Sequence, residues 1–186
     1  MTEPTTIYAR DITDVESGPV RVQVSFLRRL PGLCVTGLPL LRVRDLSEAV
    51  RSSLTVSGFE MPRQRIVVDI DAPRLKRGDR APTGLVGGTR APLGLAVALG
   101  ILKASGQIKA DLTPVVFYAD LGLDGLLRLP PDVPEPSPAS LPEDKILVTA
   151  PGPDIDWVEG RVMSFRTLAD VVAWLQVREQ GQVPKQ

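Results

Sequence analysis

The chain has 186 residues, of which 43% are apolar and 24% charged, enough for one domain with a buried core and no covalent staples. It has no histidine and a single cysteine, Cys34, which excludes an internal disulfide framework, a Ser-His-Asp or Cys-His catalytic group within the chain, and the usual zinc or iron sites. The 22 Lys and Arg balance the 22 Asp and Glu, but unevenly: residues 1–110 hold 16 bases against 10 acids, and residues 111–186 hold 6 against 12.

The first residues, 1–18, are polar and weakly patterned, with Ile7, Tyr8 and Ile12 suggesting a partly docked lead-in. No basic and apolar leader pattern opens the chain and no apolar run is long enough for a bilayer, so a cytoplasmic protein without a membrane partner is expected. From Val20, the alternation of Val20, Val22, Val24 and Phe26 with Arg21, Gln23 and Ser25 predicts a half-buried strand. Leu30-Pro31-Gly32 predicts a turn into a second strand over 33–36, the pair reading as a hairpin. Cys34 falls in this apolar run, where a buried, inert thiol is expected.

After Gly37-Leu38-Pro39, Leu41, Leu46, Ala49, Val50 and Leu54 recur at helical spacing, with Ser57-Gly58 suited to end the helix. The run Arg65-Ile66-Val67-Val68-Asp69-Ile70 predicts a strand buried on both faces. An irregular stretch up to Pro92 carries Gly78, Gly84, Gly87 and Gly88, and a glycine-rich loop of that length inside a domain is more often functional than filler. Residues 93–105 predict a nearly all-apolar, central helix closed by Gly106. A strand over 115–118 leads to a hairpin at Asp124-Gly125. Residues 130–142 are proline-rich and acidic, a surface loop rather than a helix. A strand over 145–149, one helical turn over 154–159 and a strand over 162–165 precede a last helix capped by Thr167, with Leu168, Val171, Val172 and Leu175 on one face.

This order predicts an α+β fold, a mixed α/β two-layer sandwich with helices packed on one face of a mixed sheet. The domain limits that follow are a lead-in at 1–18, a single domain at 19–178 with loops at 79–91 and 130–143, and a polar tail at 179–186. Gly37-Leu38-Pro39 before the first helix, Ser57-Gly58-Phe59 after it, Arg65-Ile66-Val67-Val68, the segment 98–108, Leu123-Asp124-Gly125 with Arg128, and Arg166-Thr167-Leu168 together carry a family resemblance. They resemble the amino-terminal, magnesium-chelatase-like (ChlI-type) domain of the competence protein ComM/YifB family. The resemblance implies the fold of the Lon proteolytic domain, shared with the corresponding domain of the recombination protein RadA and with GHMP-type kinases. Three departures stand out: an insertion around residues 78–91, a short proline-rich stretch where the family has a helical segment, and no GxxxxGK[ST] or room for an ATPase motor.

A Lon-type Ser/Lys pair would place its serine just before the apolar helix, and that position falls at about Pro92. Thr89 lies nearby, but the spacing supports neither Lys103 nor Lys145 as its base. The resemblance also implies a phosphate-binding place at the loop before this helix, where the backbone of Gly84, Gly87 and Gly88 could meet an anion; the serine-rich kinase signature is missing, and a surface loop explains the same residues. Arg74, Lys76, Arg77, Arg80 and Arg90 crowd the insertion, and Arg28, Arg29, Arg42 and Arg44, with Arg51, crowd the first hairpin and helix. Such clusters neutralise phosphates without reading sequence, and equally serve as solvated faces or face acids such as Asp120, Asp132 and Asp144 of a neighbouring subunit. Trp157 and Trp174 fit packing better than base stacking. The expectation is therefore a non-catalytic Lon-like scaffold without cofactor or metal, a homo-oligomer with a ring as one form, binding DNA or a DNA-processing AAA+ ATPase partner in recombination or uptake. The alternatives are a degenerate peptidase or phosphate-binding enzyme using the loop from Gly78 to Pro92, and a fragment of a longer AAA+ protein.

Overall fold

The structure is a computed structural model, and it describes residues 3–10, 19–71, 91–130, 141–152 and 161–181. In chain order its elements are β1 (Thr5–Ala9), β2 (Val20–Leu27), β3 (Gly32–Thr36), α1 (Leu40–Val56), β4 (Arg65–Asp71), α2 (Gly94–Ala104), β5 (Val115–Tyr118), β6 (Asp120–Leu121), β7 (Leu127–Arg128), β8 (Ile146–Thr149), β9 (Val162–Ser164) and α3 (Leu168–Gly181). Seven strands form one mixed sheet in the order β3-β4-β2-β1-β5-β8-β9, and β6 and β7 form a separate two-stranded hairpin.

Alternation drives the first half of the sheet. Val20, Val22 and Val24 of β2 and Ile66, Val68 and Ile70 of β4 are buried, and the two strands pair antiparallel with Val22 opposite Ile70 and Val24 opposite Val68. The expectation that β4 is buried on both faces is corrected: Arg65, Asp69 and Asp71 are exposed and Val67 is only half-buried, so one face meets the core.

The expected β2–β3 hairpin does not form. β3 pairs parallel with β4, Leu33 opposite Ile66 and Val35 opposite Val68, and β4 lies between β3 and β2. The cause is the helix that follows β3: a strand-helix-strand crossover returns the next strand parallel to the first, and β4 takes the place beside β3. At the end of β3, Gly37 has φ 86°, and a side chain there would overlap the carbonyl of Ile70.

Residues 5–9, expected as a partly docked lead-in, are an interior strand. β1 pairs antiparallel with β2, Ile7 opposite Val22, and parallel with β5, Tyr8 opposite Val116. β5, β8 and β9 continue parallel, so β2 alone runs against the other six. We call the end where β3, β4 and β5 finish the upper end of the sheet, and the opposite end the lower.

All three helices contribute to one large core against one face of this sheet. Every residue of α2 from Gly94 to Leu102 is buried, which explains why that segment carries no polar face. Leu168, Val171, Val172 and Leu175 bury the inner stripe of α3, and the Thr167 hydroxyl accepts the amide of Asp170 at 3.1 Å, the cap its position predicts. On the opposite face, Val116, Tyr118, Leu141 and Leu147 make a small second cluster with Leu129 and Val162, to which no helix among the described residues contributes. The fold is thus α+β, with the helices on one face. No helix among the described residues is long and apolar enough to cross a membrane.

Candidate functional site

The elements that converge at the upper end are the start of α1, the start of α2 and the residues following β5. A cleft of about 320 Å3 opens there, lined by Leu38, Arg42, Asp45, Ala49, Gly94 and Asp120, among others. Its floor is set by close backbone approach: a Cβ on Gly94 would lie 2.8 Å from the amide nitrogen of Leu121, so only glycine lets α2 begin against β6. The same contact lets the amide of Leu95 donate to the carbonyl of Ala119 at 3.1 Å.

Asp120 turns its carboxylate onto the head of α2. Oδ1 accepts the amides of Leu93 and Gly94, both at 3.2 Å, supplying acceptors that the first turn of a helix lacks. Burial pushes the Asp120 carboxyl above its ordinary range, opposed by the Gly94 amide, the charge of Arg42 and the Leu93 amide. Arg42 in turn donates to the carbonyl of Ala91 at 3.2 Å, fixing the residue that enters α2. Asp120, one of the acids that a neighbour's arginines could have faced, makes these bonds within its own chain.

Three amides at the head of α2, those of Leu93, Gly94 and Leu95, therefore already have acceptors inside the domain. Pro92, near which the resemblance implies a Lon-type serine, is buried and carries no nucleophile. Lys103 lies nine residues along α2, about 14 Å of helix from Gly94, and its ammonium meets the carbonyl of Lys109. Lys145 is also at the lower end, bonded to the Thr113 carbonyl at 3.1 Å and paired with Asp144 at 3.4 Å. Neither lysine is near the α2 head, so neither can act on a group there.

The arginines sort into two groups that the sequence had run together. Arg42 and Arg44 lie in the first turns of α1 at the upper end, where Asp71 and Ala91, the described residues on either side of 72–90, also lie. Arg28 and Arg29 are exposed between β2 and β3 at the lower end, beside Arg63 and Arg65, which the sequence reading had not singled out. The register that sets Arg65 opposite both Leu27 and Gly32 brings these four together; spacing alone does not show it. Arg74, Lys76, Arg77, Arg80 and Arg90, the loop glycines Gly84, Gly87 and Gly88, and Thr89, Asp132 and Trp157 lie outside the described residues, as do the turn expected at 154–159 and most of the proline-rich loop.

Arg10, which follows β1 at the upper end, was also not singled out; burial lowers its pKa, and its Nε has no hydrogen-bond partner among the described residues. Cys34 is half-buried on β3 rather than enclosed. Trp174 packs against the core, 5.5 Å from the ring of Phe165 and 5.4 Å beneath the Arg178 guanidinium, which accounts for it without a ligand. No group of three or more His, Cys, Asp or Glu among the described residues could hold a metal ion.

The sequence profile of the family described as ChlI, subunit ChlI of Mg-chelatase, matches residues 22–135, from β2 through the β6–β7 hairpin and beyond. The chain belongs to this family. Over 124 residues it is 31% identical to the uncharacterised protein YifB of Escherichia coli and 33% identical to the competence protein ComM of Haemophilus influenzae. YifB of Salmonella typhimurium is 30% identical over the same length. Each match covers 66% of this chain but 22% of the relative, so the chain spans less than a quarter of the length of the curated relatives it matches. The expected ComM/YifB kinship is thereby borne out.

Proposed function

We propose that this chain is a non-catalytic, Lon-like scaffold of a ComM-type protein, working in the cytoplasm in DNA uptake or recombination and engaging nucleic acid from the upper end of its sheet. The observation that carries it is the head of α2, where Asp120 occupies the amides of Leu93 and Gly94 and a buried proline stands about where the resemblance implies a nucleophile. A place that could have held a reacting group is used for packing. Arg42 and Arg44 stand at the same end, on the helix that reaches Ala91, and the basic insertion departs from and returns to that end. The competence name of the Haemophilus relative supports the biological setting, and an AAA+ ATPase is the proposed partner.

The test is a salt-titrated DNA-binding assay on the chain and on the triple variant Arg77→Ala, Arg80→Ala, Arg90→Ala. The expected result is weaker binding with a shallower dependence on salt, the slope falling by about one for each phosphate contact removed. Equal, salt-insensitive affinity in both proteins would remove nucleic acid from the proposal. A nucleotide-binding role draws less support, because the amides that would receive a phosphate at α2 already have acceptors; a thermal shift with nucleotides would revive it.

A further inference from the structure

β3 is the last strand on its side of the sheet, and among the described residues no strand pairs with its outer edge. A free edge displays unmatched amides and carbonyls, and proteins usually blunt it with charge, proline or a bulge. The five residues of β3, Gly-Leu-Cys-Val-Thr, carry neither charge nor proline and stay in continuous register with β4. β9, at the other edge, has three residues and is a shorter template.

The lower end of this edge runs into arginines. Arg65 lies opposite both Leu27 and Gly32, so the turn that holds Arg28 and Arg29 meets the lead into β4 that holds Arg63. All four are exposed, and among the described residues none of their side chains has a hydrogen bond or an ion pair. The connection that carries Arg63 holds one acid, Glu60. Leu30, 85% exposed, adds apolar surface beside the charges. The described residues next to 11–18 and 72–90 lie at the upper end, away from this corner.

We propose that the outer edge of β3 takes up an extended acidic segment of a partner protein as an added strand, its carboxylates on Arg28, Arg29, Arg63 and Arg65. Main-chain bonds along the edge supply affinity, and the arginines select an acidic partner and fix its register. Antiparallel pairing is the more stable kind per residue, so the acids follow an uncharged run and lie at the carboxyl end of the segment. A nucleic acid would also meet the arginines, but a phosphate backbone does not continue a sheet, and residues 27–31 and 63–65 include no aromatic ring for a base to stack on. This goes beyond the role proposed above and uses the opposite end of the sheet, so its failure leaves the nucleic-acid test at the upper end standing.

Fluorescence anisotropy of a labelled peptide, Thr-Val-Thr-Val-Thr-Glu-Asp-Glu, titrated with the 186-residue chain tests it. The peptide should bind, and added salt should weaken the binding. Arg28→Glu with Arg29→Glu, both at exposed positions and checked for folding by circular dichroism, should weaken it about tenfold. An antiparallel strand bonds its neighbour through alternate residues, so two peptides methylated on alternating backbone nitrogens separate main-chain pairing from charge. One should lose about tenfold in affinity and the other should keep it. No binding by the wild-type chain, indifference to the arginine reversal, or equal affinity of the two methylated peptides would each overturn the proposal. So would a short single-stranded DNA whose binding is lost in the arginine variant while the peptide's is not, which would assign the corner to phosphates.

Discussion

At the upper end of the sheet Asp120 takes up the amides of Leu93 and Gly94, and Arg42 reaches the carbonyl of Ala91; at the lower corner Arg28, Arg29, Arg63 and Arg65 stand in water beside a strand with one edge unmatched among the described residues. The first region spends its polar groups on its own backbone, so changes there should be felt as stability. The second leaves polar groups and strand edge outward, so changes there should be felt as association.

The sharpest way to break this contrast is at Gly94. Its replacement by alanine puts a methyl group 2.8 Å from the Leu121 nitrogen, against backbone that cannot swing aside, and should cost about 3 kcal/mol by urea denaturation. If the protein were unaffected, α2 and β6 would not be locked together.

Next in size is Asp120. Asp120→Ala strips the acceptor from two amides and should cost about 2 kcal/mol at neutral pH. Asp120→Asn keeps a carbonyl oxygen and should cost less, but it alters the response to pH. Because burial raises the native carboxyl above its unfolded value, the native state holds its proton longer. Stability contributed by this group is therefore greatest below the unfolded pKa and falls as pH rises from about 4 through the raised native value. Urea midpoints across that window should slope downward more steeply for the wild type than for the asparagine variant; parallel slopes would mean that the carboxyl is not perturbed.

The smallest expected effect is at the other pole. Arg28→Ala with Arg29→Ala should shift stability by no more than about 0.5 kcal/mol, measured by the same denaturation, since both side chains are exposed. A large loss would show that the corner holds the fold together.

Much of the fold was legible because periodicity is a local signal. The apolar run of α2, the stripe of α3, the alternation in β2 and the Asp124-Gly125 turn between β6 and β7 all appear where residue spacing placed them. What failed was pairing between distant segments. Leu30-Pro31-Gly32 does turn the chain, but only the α1 crossover decides that β4, not β3, lies beside β2. Thr5 to Ala9 has one strong apolar residue, Ile7, and becomes a strand because β2 and β5 offer it an edge on each side. The site followed the same rule. The proline at the head of α2 could be read directly, whereas Asp120 caps amides 26 and 27 positions earlier in the chain, a contact no local pattern announces.

β1 carries one more implication, for the order in which the molecule can be made. It is synthesised before the other described strands, can zip against β2 almost at once, and then must wait for Val116 and Phe117, more than a hundred residues later, before its other side is filled. Until then the nascent chain presents an open strand in the middle of its future sheet, and the two halves have no hydrogen-bonded seam. A product begun after Ala9 would lack the ribbon that β2 and β5 both bond to, and the two halves of the sheet would lose their shared neighbour.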